Sequence, residues 1–143
     1  MRIYTVGYEG ATQAELIATL QNAGVTLLAD IRAVPLSRRP GFSKNILAAG
    51  LKEAGIDYVG LKALGTPAEG REAARKGNHA KLREIYSAQL DLPEAIVQAE
   101  QLREMAGERP TALLCFEREA NGCHRSLLLE YLFPDDERVD LKP

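Results

Sequence analysis

The stretch V25-T-L-L-A-D-I-R32 decides how the rest of the chain is read. It is apolar almost without interruption until Asp30, and it does not alternate. A strand with one wet face alternates apolar and polar residues, whereas a strand covered on both faces, as in a parallel sheet, does not. The run therefore predicts a central strand of a parallel sheet, and Pro110 to Phe116 (P-T-A-L-L-C-F) repeats the pattern.

Working outward from these two runs, Arg2 to Gly7 reads as a short strand and Thr12 as the cap of a helix over 13–23 closed by Gly24. Ser43 can cap a helix over 44–54 that stops at Gly55, and Ile56 to Leu61 is a further strand. His79 to Leu90 and Pro93 to Ala106 read as helices, with Pro93 suited to a first turn. Cys123 to Phe133 is a helix apolar on most of its circumference, predicted to be buried on two sides, and Arg138 to Leu141 is a last strand. Lys62 to Asn78 carries four cations and several breakers, which predicts a long mobile loop with one helical turn, of the kind that covers a site. Strands alternating with helices predict one α/β domain over 1–143, with a mostly parallel sheet of about five strands flanked by helices.

The chain has 143 residues, 45% of them apolar and 27% charged, which suits one self-sufficient globular domain. Its net charge of −2 gives no overall attraction to nucleic acid or an anionic membrane, so an anion site must be local. No run is long and apolar enough to span a bilayer, and the start shows no signal core, so the expected location is the cytoplasm. There two cysteines read as catalytic, redox-active or buried before they read as a structural disulfide.

Open parallel sheets bind ligands outside the carboxyl ends of their strands. The polar residues at those ends are Tyr8 and Glu9 after the first strand, Asp30 and Arg32 after the second, and Cys115, Glu117 and Arg118 after the fourth. Asn121-Gly122 turns the chain into the last helix, so Cys123, His124 and Arg125 fall in its first turn. Free amides there favour an anion, be it a thiolate, a phosphate or a carboxylate. Arg125 suits bidentate binding of such a group, and Cys123 is either a thiol activated there or a small buried hydrophobe. Cys115 shares a strand face with Leu113 and reads as core, or as the partner of Cys123 in a reversible disulfide.

The loop S37-R-R-P-G-F-S-K44 supplies Arg38, Arg39 and Lys44, and Asp30 to Lys44 holds four cations against one anion. That is either a positive patch beside the anion site or a solvated loop, and it is too little charge to argue DNA binding. Asp30 serves as an acid/base group or, preferably, as the partner of Arg32, Arg38 or Arg125 in an ion pair. Neither cysteine is followed by arginine at five or six positions, which excludes rhodanese-type and phosphatase-type loops. No dinucleotide fingerprint or Walker loop occurs, no cofactor is evident, and the scattered Cys and His residues lack zinc-site spacing.

T5-V-G-Y-E-G10, A29-D-I-R-A-V-P35, S37-R-R-P-G-F-S-K44 and L114-C-F-E-R-E-x-x-x-C-H-R-S126 together resemble the family catalogued as domain of unknown function 488. The resemblance runs in order from Thr5 to about Leu132. It implies a single-domain, three-layer Rossmann-like α/β fold in a small cytoplasmic protein of bacteria and archaea, with no established activity. Glu9, Asp30, Arg32, Arg38, Arg39, Phe42, Lys44, Cys115, Glu117, Cys123, His124 and Arg125 stand at positions that match its motifs.

Two functions fit these residues. In the first, an enzyme acts on a phosphate- or carboxylate-bearing small molecule or nucleotide. Cys123 or His124 is nucleophile or acid/base, Glu117 or Glu9 orients, and Arg125, Arg32, Arg38, Arg39, Lys44, Asp30, Tyr8 and Cys115 build the anion pocket. In the second, a non-catalytic module uses the same pocket to bind an anion, a nucleotide or nucleic acid, or to sense redox state.

Overall fold

A computed structural model, which describes residues 1–119 and 124–143, contains five strands and six helices. Strand β1 (Arg2–Gly7) leads through α1 (Gln13–Asn22) to β2 (Leu27–Asp30), then through α2 (Lys44–Glu53) to β3 (Asp57–Gly60). A 3-10 turn (Lys62–Leu64), α3 (Ala68–Arg75), α4 (His79–Leu90) and α5 (Pro93–Glu108) precede β4 (Thr111–Cys115), and α6 (His124–Leu132) precedes β5 (Glu137–Leu141).

The sheet is parallel throughout, in the order β3-β2-β4-β1-β5. The two predicted central runs are neighbours, with Leu28 opposite Ala112 and Ala29 opposite Leu113. The strands within them, β2 and β4, are buried along their whole length, as a sheet covered on both faces requires. Crossovers from β1 to β2 and from β2 to β3 run one way along the sheet; those from β3 to β4 and from β4 to β5 run the other way. With right-handed crossovers the first pair of helices must lie on one face and the rest on the opposite face.

The core divides accordingly. Val6, Leu28 and Leu114 pack with Leu16 and Leu20 of α1 and Leu47 and Leu51 of α2. Ile3, Ala29 and Leu113 pack with Tyr86 of α4, Ala99 and Leu102 of α5 and Leu128 and Leu129 of α6.

Two elements differ from the sequence reading. Lys62 to Asn78 is not an irregular loop with one helical turn but a 3-10 turn followed by the two-turn helix α3, whose Gly70 and Ala73 are buried. Helix α6 buries Arg125, Leu128, Leu129 and Leu132 but exposes Glu130 and Tyr131. It is covered on one face because it lies on the outside of the sheet, where no second layer covers it. Among the described residues no helix is long and apolar enough to cross a membrane.

Candidate functional site

The loops after β2 and β4 leave for opposite faces of the sheet, which opens a crevice at the carboxyl ends of these adjacent strands. A cavity of about 270 Å³ lies there. Tyr8 enters it from beyond β1, Arg32, Val34 and Leu36 from beyond β2, and Cys115, Phe116 and Glu117 from the end of β4. Thr66, Arg71 and Ala74 close one side, with Leu82 of α4 and His124 of α6.

The approach of β1 to the loop after β4 depends on Gly7. A Cβ built there would lie 1.6 Å from the Glu117 carbonyl oxygen. The sheet ladder carries on past the strand ends: the Tyr8 amide donates to Cys115 O at 3.3 Å, and the Glu9 amide to Phe116 O at 2.8 Å. The Glu9 carboxylate in turn accepts from the Arg118 amide at 3.1 Å. Glu9 thus holds the loop and does not line the cavity.

Asp30 and Arg32 form a buried, bidentate ion pair. Arg32 Nε donates to Asp30 Oδ1 at 2.8 Å and Nη2 to Oδ2 at 2.7 Å. Nη1 donates to the Phe42 carbonyl at 2.8 Å and to the Tyr8 hydroxyl at 3.2 Å, while Tyr58 Oη donates to Asp30 Oδ2 at 2.5 Å. Burial alone would lower the Arg32 pKa, but the Asp30 carboxylate more than offsets it and leaves the guanidinium more firmly charged than usual. Asp30 therefore takes the structural role that the sequence reading preferred. Arg32 presents to the cavity a charge already neutralised.

Arg125 is fully buried but does not line the cavity. Its Nη1 donates to the Glu117 carbonyl at 2.5 Å and contacts Cys115 Sγ at 2.8 Å, and its Nη2 donates to the Arg118 carbonyl at 3.1 Å. It fastens the loop after β4 onto α6, where the sequence reading expected it to meet a ligand. Burial lowers its pKa, and the nearby Asp140 and Glu117 partly counter this.

Cys115, read from the sequence as core or as the partner of Cys123 in a reversible disulfide, is buried at the end of β4 and is disulfide-bonded. Cys123, the only other cysteine, falls outside the described residues.

The basic loop lies away from the cavity. Arg39 Nε donates to the Ala11 carbonyl, while Arg38 and Lys44 are exposed. Phe42 pins the loop by stacking on Tyr8 at 4.5 Å.

Two further ionisable groups in the cavity are shifted. The Glu117 carboxyl is raised by burial, against the opposing pull of its own amide and Arg125, and Glu9 adds to the rise. Burial pushes His124 down to about 4; its Nε2 lies 3.0 Å from the Ile31 carbonyl, which identifies Nε2 as the protonated nitrogen of a neutral ring. The ring also meets Tyr86 edge-on, with centroids 5.3 Å apart.

Thr66, Arg71 and Tyr58 escaped the sequence reading, because Thr66 and Arg71 fall in the stretch read as a loop and Tyr58 lies within an edge strand. Arg71 Nη1 donates to the Thr66 carbonyl at 2.9 Å. The Thr66 hydroxyl is buried and has no hydrogen-bond partner among the described residues. Among the described residues no group of three or more His, Cys, Asp or Glu side chains is placed to hold a metal ion.

The sequence over residues 12–132 matches the family model described as domain of unknown function DUF488. The chain belongs to this family. In this DUF488 protein the matched span contains every cavity-lining residue except Tyr8, and it starts after the T5-V-G-Y-E-G10 motif. No curated protein and no solved structure matches the chain.

Proposed function

We propose that this DUF488 protein is an enzyme that performs acid–base chemistry on a small anionic organic molecule bound at the carboxyl edge of the sheet. The observation that carries the reading is the pairing of Glu117 and His124 in one cavity, with ionisation shifted in opposite directions. A carboxyl whose pKa is raised by burial holds its proton more readily than an exposed one, as a general acid must, while an imidazole kept neutral can orient a substrate without competing for that proton. Proton transfer is assigned to Glu117, with His124 as a neutral hydrogen-bonding neighbour. A nucleophilic Cys123 is not required.

A thermal-shift screen against carboxylates, phosphate, sulfate and nucleotides tests the binding step, since a ligand that prefers the native state raises the melting temperature. Binding of the anion that emerges should strengthen as pH falls through the Glu117 ionisation, and Glu117→Gln should bind it with no such pH dependence and no turnover. No stabilisation by any anion would refute the reading. Full turnover by Glu117→Gln would leave a non-catalytic Glu117 and would refute the assignment of the acid.

A further inference from the structure

One polar side chain of the cavity lining lacks a hydrogen-bond partner among the described residues. Thr66 lines the cavity and is 3% exposed, and its buried hydroxyl is that unpartnered group. A buried hydroxyl left unpaired costs about 1–3 kcal/mol, so such groups normally meet a protein, water or ligand atom. Arg71 stands beside it, fixed by its bond to the Thr66 carbonyl.

Among the described residues Arg71 is also the one cavity-lining cation outside an ion pair, since Arg32 is matched by Asp30. Another part of the lining is apolar and open. Val34, Leu36 and Phe116 are 50%, 68% and 46% exposed, an unusual outlay of apolar surface around one mouth.

We infer that Thr66 Oγ1 and the Arg71 guanidinium anchor the carboxylate of a monocarboxylic acid whose apolar body lies against Val34, Leu36 and Phe116. This rests on the anion-binding reading above and narrows it. A planar carboxylate can take two guanidinium N–H groups and the threonine O–H together. A phosphate dianion would bring a second negative charge into a lining that offers one unmatched cation and also contains Glu117. The apolar rim selects a hydrocarbon body over a sugar.

The probes are phenylacetate and 4-methylvalerate, set against inorganic phosphate and AMP, with binding measured by calorimetry on the full chain. Both carboxylates should bind the wild type. Arg71→Gln and Thr66→Val should each weaken them by about tenfold, while Thr66→Ser, which keeps the hydroxyl, should retain affinity. Leu36→Ser should weaken the carboxylates as well. Unligated melting temperatures of all variants report whether each still folds; Thr66→Ser and Leu36→Ser keep the test intact if Thr66→Val does not.

Equal binding by the wild type, Arg71→Gln and Thr66→Val would overturn the anchor. Binding of phosphate or AMP in place of the carboxylates would overturn the substrate class and leave the anion-binding enzyme standing. Silence from every probe would overturn both.

Discussion

Gly7 ends β1 at a point where nothing larger fits. An added Cβ would meet the Glu117 carbonyl carbon at 2.3 Å and the Arg118 nitrogen at 2.9 Å as well as the Glu117 oxygen. These are backbone atoms, fixed by Arg125 and Glu9, so they cannot yield as a side chain could. Gly7→Ala should cost about 3 kcal/mol or more, the upper end of overpacking penalties, read from urea unfolding. A loss below about 1 kcal/mol would show that the loop is not held against β1.

His124 makes a second prediction at this scale. Its folded pKa of about 4 lies below the ordinary 6.5. Between these values the unfolded chain takes up a proton that the folded one refuses, so stability falls as pH drops from 6.5 and levels off below 4. The full loss is on the order of 3 kcal/mol. Glu117 works in the opposite sense: its raised folded pKa makes the folded state gain protons first, and stability rises as pH falls toward the ordinary 4.5. Urea unfolding at pH 7, 6 and 5 in a Glu117→Gln background reads the histidine above the range in which the lowered Glu15 and Asp140 carboxyls contribute, and adding His124→Asn should remove most of that slope. A flat profile in Glu117→Gln would mean that the imidazole is charged in the folded state.

At the scale of elements, legibility followed the strength of the local signal. Helix α1 was plain because Thr12 and Glu15 form a reciprocal cap: the Glu15 amide donates to Thr12 Oγ1 at 3.1 Å, and the Thr12 amide to Glu15 Oε1 at 2.8 Å. Thr12→Ala should therefore cost about 1 kcal/mol, with the urea midpoint lowered and its slope unchanged; no change would mean that tertiary packing alone sets the start of α1.

Helix α3 sends no such signal. Its sequence A68-E-G-R-E-A-A-R75 has no large apolar residue, and Pro67 at its start provides no side-chain cap. It is helical because Gly70 permits close packing: a Cβ there would lie 2.4 Å from Thr66 Cγ2 and 3.2 Å from Ile85 Cγ2 of α4. Contact with a distant segment decides this element. For that reason Thr66 and Arg71 could not be assigned to the site from sequence.

Across the whole molecule, the sequence reached the parallel layers and the strand-end residues but not the strand order, which depends on pairings between segments far apart in the chain. That order places the Asp30–Arg32 pair beside the central strand β4 at the carboxyl edge. There it joins β2 to Tyr58 of β3, to Tyr8 beyond β1, and to the Phe42 carbonyl of the loop leading to α2. Its side chains are 1% and 6% exposed. Removing one member of such a pair strands a buried charge, at a cost of about 3–5 kcal/mol, whereas removing both can cost less than the sum. Asp30→Asn and Arg32→Gln should each lower stability by that amount, and the double variant should lose no more than the worse single one. Strict additivity in this cycle would show that the two side chains act independently, and the crevice would then owe its shape to the sheet alone.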